Sequence, residues 1–399
     1  MVKPSAAVNR PPSQREGGQF LFDRVCLSLW AILCVSLFVA TWKLWIPGFT
    51  SFPRVPFFFE TNLAINVIQI VASISIVAAL VEIALRNRSE GLFLFLLIGG
   101  LAISFICNQH SLQAWAWQMF IFAVLLWGLP RMEAKKWMGY VLISIYLFSA
   151  ISKFDFQFLH TTGKEFLVAA YSLAGMELDP KLDTRRLVSL LPIGELVIGL
   201  GLIFARTRRI AAVAAALMHV CLIVLLWKLQ HKPGVMIWNA IQILMVVWLF
   251  WHRPPRSEAK YRSVKANLAC CFAIAVLFLP WLRPAGLCDH WMAWGLYSPS
   301  NSRAKLTLPP QHVDRLPEDL QPLCHPSGLA QRAEFDLGEW SLAELAAPIY
   351  PESRFQIAAA SELVQKYPQI DWELTELGPS HPFDGRRTQR QLPIPAPDE

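Results

Sequence analysis

The residues able to do chemistry in this chain are few, and they stand inside or at the ends of apolar runs. Lys153 and Asp155 fall where one such run ends, in YLFSAISKFDFQFLHTTGKEF (146–166). Glu195 interrupts LLPIGELVIGLGLIFARTRR, and His219 interrupts AALMHVCLIV. Asn108, His110 and Gln113 share the stretch NQHSLQAWAWQ, and Asn239 lies in a later apolar segment. A desolvated lysine suits proton abstraction, or the holding of an anionic or carbonyl group. A carboxylate in an apolar segment needs a partner or a proton. For Glu195, Lys153, His110 and His219 are the candidates by depth. Glu195 with His219 would form a proton relay; the alternative for His219 is a helix–helix hydrogen bond. Lys153 and Asp155 are two apart and do not share a helix face, so they pair only if the helix ends at Lys153. The alternative there is an interfacial lysine beside a solvated aspartate. The candidate catalytic set is Lys153, His110, Glu195 and His219. The candidate ligand-binding set is Asn108, Gln113, Asp155 and Asn239. NQHSLQAWAWQ, with its two tryptophans, could frame an aromatic ligand such as a quinone.

The elements that must position these residues are membrane helices. The chain has 399 residues, 54% hydrophobic and 16% charged, where a soluble domain carries about 25% charge. Nine apolar segments of roughly spanning length are expected, at 25–46, 63–85, 91–107, 113–130, 137–153, 187–205, 208–227, 234–252 and 266–283. The predicted fold is an all-α transmembrane bundle over 25–283. A cytoplasmic tail, 1–24, precedes it, and a small extracytoplasmic region, 284–399, follows.

Orientation follows from Lys and Arg. With the N-terminus inside, the inner segments hold Lys3, Arg10, Arg15, Arg86, Arg88, Arg131, Lys135, Lys136, Arg206, Arg208, Arg209, Arg253, Arg256, Lys260, Arg262 and Lys265. The short outer loops hold Arg54, Lys228 and Lys232. This alternation predicts N-in, C-out. The polar candidates then lie in the outer half, which points to one cavity reachable from the outer leaflet. The net charge of +7 fits cytoplasmic loops against anionic lipid and not a nucleic-acid site.

Residues 284–399 contain no spanning run. SLAELAAPIYPESRFQIAAASELVQKYPQIDWELTEL offers helical segments, and GRRTQRQLPIPAPDE reads as a disordered tail. Cys288 and Cys324 both fall in this region, where an oxidising compartment permits a structural disulfide between them. The other six cysteines lie in or near spans as small apolar residues. No P-loop, zincin, nucleophile-elbow or dinucleotide motif is present, and the histidines are not spaced as metal ligands.

The run 146–219 resembles the DoxX/MauE group of bacterial membrane proteins. SAISKFDFQFL is followed by LLPIGELVIGLGLIFARTRRIAAVAAALMH, with Lys153, Pro192, Glu195, Leu196, Arg206, Arg208 and Arg209 matching in order. The resemblance covers about 75 residues. It implies a cell inner-membrane protein with a role in membrane redox or in maturation of an extracytoplasmic protein partner, with a quinone-like ligand as cofactor. KFD (153–155) and NQH (108–110) also look like short counterparts of active-site segments in the HTTM group, which includes vitamin K-dependent gamma-carboxylases. That resemblance implies an enzyme with Lys153 and His110 as base and stabiliser.

Overall fold

A computed structural model describes residues 12–58, 62–86, 91–179, 181–251, 263–326 and 332–394. The helical part runs α1 (Pro12–Ala40), α2 (Trp42–Trp45), α3 (Leu63–Arg86), α4 (Gly91–Cys107), α5 (Ala114–Gly128), α6 (Arg131–Ser152), α7 (Phe156–His160), α8 (Thr162–Leu173), α9 (Arg185–Ile203), α10 (Arg208–Lys228), α11 (Pro233–Phe250) and α12 (Val264–Leu282). Among the described residues, six helical stretches are long and apolar enough to cross a membrane: Gly18–Ala40, Leu63–Leu85, Arg185–Ile203, Arg208–Lys228, Pro233–Phe250 and Val264–Ala285. Their outward faces are apolar too, with Val39, Ile68, Leu190, Ile210, Leu217 and Phe278 all exposed. Such a surface would aggregate in water and is at home against lipid. The chain is a multi-pass membrane protein.

The remaining apolar helices are less regular. α4 and α5 have 17 and 15 residues, and α6 is followed by α7–α8 at a bend of 71°. The break falls at residues 153–155, so α6 ends on Lys153. Residues 154–186, which join the fifth and sixth expected spans, contain α7 and α8, and these pack back onto α9. That approach is close. A Cβ on Gly163 would lie 2.4 Å from Val188 Cγ1, so only a glycine lets α8 lie there.

α1 begins earlier than expected. Of the expected tail 1–24, residues 1–11 lie outside the described residues and 12–24 are helical, with Pro12 at the first helical position, where its missing N–H costs nothing. The extension carries Asp23 into the bundle. Its carboxylate is buried, accepts from Lys135 Nζ on α6 at 2.6 Å and from Trp248 Nε1 on α11 at 3.0 Å. One carboxylate thus ties α1, α6 and α11 together.

Residues 287–394 form a cap that is not all-α. Five strands, β1 (Arg303–Leu308), β2 (Cys324–Pro326), β3 (Ala333–Phe335), β4 (Glu373–Leu377) and β5 (Gln389–Leu392), make an antiparallel sheet in the order β2-β3-β1-β4-β5. α13 (Leu337–Leu345) and α14 (Ser353–Lys366) join it, and α14 lies against β1 and β4. Leu306 of β1 faces Phe335 of β3 and Leu374 of β4. The last turns of the chain are not a free tail. β5 pairs with β4, and Arg387 Nη1 donates to the carbonyls of Asn301 and Gly378 at 2.7 Å. Residues 395–399 lie outside the described residues.

Candidate functional site

The site starts on one face of α6. Tyr146, Ser149 and Lys153 are spaced three and four apart, so they stack along one side of the helix. Lys153 is buried, and its ammonium donates to Ser149 Oγ and to Glu195 Oε2, both at 2.6 Å. An ammonium has three donors, so one N–H remains for a ligand. Glu195 reaches Lys153 because α9 runs tight against α6. A Cβ on Gly199, one turn beyond Glu195, would fall 2.9 Å from Leu147 Cδ2 and 3.1 Å from Tyr146 Cβ. Pro192, inside the same helix, supplies no N–H to the Val188 carbonyl.

A second chain of hydrogen bonds runs beside the ion pair. Tyr146 Oη and His219 Nε2 are 2.8 Å apart, and His219 Nδ1 is 2.8 Å from Asn239 Oδ1. Asn239 donates through Nδ2 to the Val235 carbonyl, so its Oδ1 is the acceptor for His219 Nδ1–H. The neutral imidazole then presents its Nε2 lone pair to the Tyr146 hydroxyl. One turn along α11, Gln242 donates to Gln118 Oε1 at 2.8 Å, and Trp238 Nε1 donates to the same oxygen at 2.8 Å.

These groups line a cavity of about 100 Å³. Lys153, Glu195, Tyr146, His219 and Asn239 are among its polar lining, and Leu191, Leu222 and Leu225 among its apolar lining. Leu191 is exposed on the bundle surface, so the apolar lining reaches lipid there. Tyr297, from the loop after α12, also lines the cavity, with its buried hydroxyl on the Asn239 side. A dry cavity of about 150 Å³ holds a benzene ring, so this smaller space accepts the edge of a ring and not the whole of it.

Of the eight candidates, Lys153, Glu195, His219 and Asn239 converge here. His110, Asn108 and Gln113 do not line this cavity and serve instead to seat the cap. His110 Nε2 donates to the Pro348 carbonyl at 3.0 Å and lies 3.2 Å from Ser341 Oγ. Gln113 Nε2 donates to Pro348 at 3.1 Å, and Asn108 Oδ1 accepts from the His110 N–H at 3.2 Å. Gln113 also faces a separate cavity of about 340 Å³ between bundle and cap. Their depth was readable; the cap above them was not.

Asp155 does not pair with Lys153. It caps α7 by accepting from Phe158 N–H at 3.0 Å, and it accepts from Ser298 Oγ at 3.1 Å. Asp155→Ala is expected to cost about 1–2 kcal/mol in an unfolding titration, the range of a lost N-cap, with ligand binding unchanged. A binding loss larger than the stability loss would return Asp155 to the site.

Cys288 and Cys324 are free thiols and not the expected disulfide. Cys324 is fixed in β2 opposite Phe335, while the Cys288 thiol lies against the Asp289 carbonyl in the turn after α12. Burial pushes Cys288 up to about 12 and Cys324 up to about 11, so both are unreactive thiols at neutral pH.

Sequence reasoning passed over Tyr146, Ser149 and Tyr297. The first two carried a signal, the spacing of three and four that ends on Lys153; Tyr297 carried none. Compared with protein-family models, with curated proteins and with solved structures, the chain matches none.

Proposed function

We propose that the chain is an inner-membrane protein of DoxX/MauE type with nine spans, the N-terminus in the cytoplasm and the cap outside. In this reading it binds a quinone-like molecule from the outer leaflet and exchanges a proton with it. The observation that carries the reading is the pairing, in one small cavity, of a buried Lys153–Glu195 ion pair with the Tyr146–His219–Asn239 chain, in a lining that also includes leucines. The space takes the oxygen-bearing edge of a quinone ring, with the rest of the head group left at the lipid side. The ammonium of Lys153 would hold a carbonyl or phenolate oxygen, and Tyr146 with His219 would accept or return its proton. The leucine lining supports entry from the bilayer, because an isoprenoid-like tail can remain in lipid while the edge of the head enters. The positive-inside distribution supports the orientation, and the cap is then the surface available to an extracytoplasmic protein partner.

A gamma-carboxylase-like enzyme is the lesser reading. It needs His110 beside Lys153, and His110 is held under the cap by Pro348.

Photolabelling with a short-chain azido-quinone tests the proposal. The label is expected on peptides containing Leu191, Leu222 and Tyr297. His219→Ala should weaken protection by excess quinone about tenfold, the effect of a lost hydrogen bond to a polar partner. Label scattered over the lipid-facing surface, with none of these peptides enriched, would sink the reading.

A further inference from the structure

Arg54, half-buried, differs from the buried lysines of the bundle. Lys153 and Lys135 each have a carboxylate oxygen at 2.6 Å. Arg54 has no ion pair among the described residues, and its Nη2 is buried without an acceptor. Burial lowers its pKa to about 10, so it stays charged at neutral pH. A guanidinium partly withdrawn from water, with one N–H₂ buried and unpaired, carries a desolvation cost. An oxyanion accepting from Nη2 would offset that cost.

The surroundings suit one. Arg54 lines a polar cavity of about 540 Å³ between the loop 47–54, the first turns of α3 and the end of α14. Asn66 and Gln365 add two amides, and Lys366 adds a second cation. Two carboxylates are near. Glu362 lines the same cavity, while Glu344 is already engaged by Thr50 Oγ1 at 2.9 Å and Ser51 N at 3.2 Å. Arg54 and Lys366 thus stand among two carboxylates, and of the four charged groups only Arg54 has a buried donor, Nη2, without an acceptor. The depth of the cavity is also defined. Asn66 is the fourth residue of α3, a helix apolar enough to span, and its neighbours Leu63 and Val67 point outward.

We propose that this cavity is an oxyanion site for a phosphate group, with Arg54 as its principal ligand and Asn66, Gln365 and Lys366 as further donors. A guanidinium presents a planar fork that matches phosphate oxygens two at a time. The phosphate belongs either to a phospholipid head at the bilayer surface or to a soluble ion; the recognising chemistry is the same. The site is separate from the Lys153 cavity, and its existence does not depend on what that cavity binds.

The test is thermal unfolding of the full chain in neutral detergent, titrated with sodium phosphate or with phosphatidylglycerol, against sodium chloride at matched ionic strength. The unfolding temperature of the wild type is expected to rise with phosphate, phosphatidylglycerol or both. Arg54→Gln should need at least about tenfold more ligand for the same rise, as expected for a charged hydrogen-bonding group. A rise with inorganic phosphate assigns a soluble ion, and a rise with phosphatidylglycerol alone assigns a lipid head. No rise beyond that in chloride, or an equal rise in Arg54→Gln, overturns the proposal. If Arg54→Gln does not fold, the double variant Asn66→Ala, Lys366→Gln carries the comparison at the cavity rim. An unchanged response in that variant overturns it equally.

Discussion

Lys153→Met is expected to destabilise the protein by about 3–5 kcal/mol, and adding Glu195→Leu is expected to recover most of that loss. The single change leaves a carboxylate inside the bundle with its partner gone, the situation that makes broken buried ion pairs so costly. Glu195 Oε2 has Lys153 Nζ at 2.6 Å as its ion partner, and both side chains are largely buried. Replacing the whole pair by apolar groups removes both the attraction and the desolvation penalty, a trade that is often neutral. The double variant therefore separates two roles that the single one confounds. If it regains stability but not azido-quinone labelling, the lysine acts on the ligand. If it labels like the wild type, Lys153 only supports packing. Unfolding in mixed micelles supplies the stabilities; equal instability of the single and double variants would refute the uncompensated-charge explanation.

What could be read from the sequence differs by element. Apolar length and Lys/Arg alternation marked the helices, because each span is a local run. Glu195 could be matched to Lys153 by depth alone, since few groups exist at that level to satisfy a buried carboxylate. Asp23 and Lys135 were hidden by the same reasoning. A basic residue near a helix end reads as solvated loop charge, and Asp23 lies at the edge of its apolar run. Only the inward extension of α1 joins them. The cap sheet was hidden for a different reason. Its strands have three to six residues, and Glu373–Leu377 reads as readily helical as extended until β1 and β5 pair with it, because strand preference is mostly a property of the neighbours. His110 shows the same limit at the site. Its partner, the Pro348 carbonyl, is 238 residues away in sequence, and nothing local announces it.

The cap should loosen as the pH falls from about 7.5 to 5, and two histidines set the window. Burial lowers His110 from 6.5 to about 4. His290, in the loop after α12, is lowered to about 3, first by burial and then by the Arg283 charge. Both are neutral when folded and bind protons more readily once exposed. For a group with a depressed folded pKa, stability is fully present above the unfolded value of 6.5 and is lost as the pH falls towards the folded value. At 1.36 kcal/mol per pH unit, each histidine removes about 2 kcal/mol by pH 5, so together about 4 kcal/mol. Glu352 works against them: burial raises its carboxyl, so it binds protons more readily when folded and offsets part of the loss as the pH falls. The geometry says what is lost. His110 Nε2–H holds the Pro348 carbonyl, while its Nδ1 is buried without a partner; a proton there is a buried, uncompensated charge. Glu352 Oε1 accepts from the His290 backbone N–H at 2.7 Å, and Arg354 donates to Gln109 Oε1 at 3.1 Å, so the same region joins cap to bundle. Hydrogen exchange of β1, β4 and α14 is therefore expected to quicken steadily over this range. In the variant His110→Gln, His290→Gln the profile should flatten, because glutamine keeps a donor but cannot take up the proton. A wild-type profile already flat from pH 7.5 to 5, or a slope retained in the double variant, would show that these histidines do not control the cap.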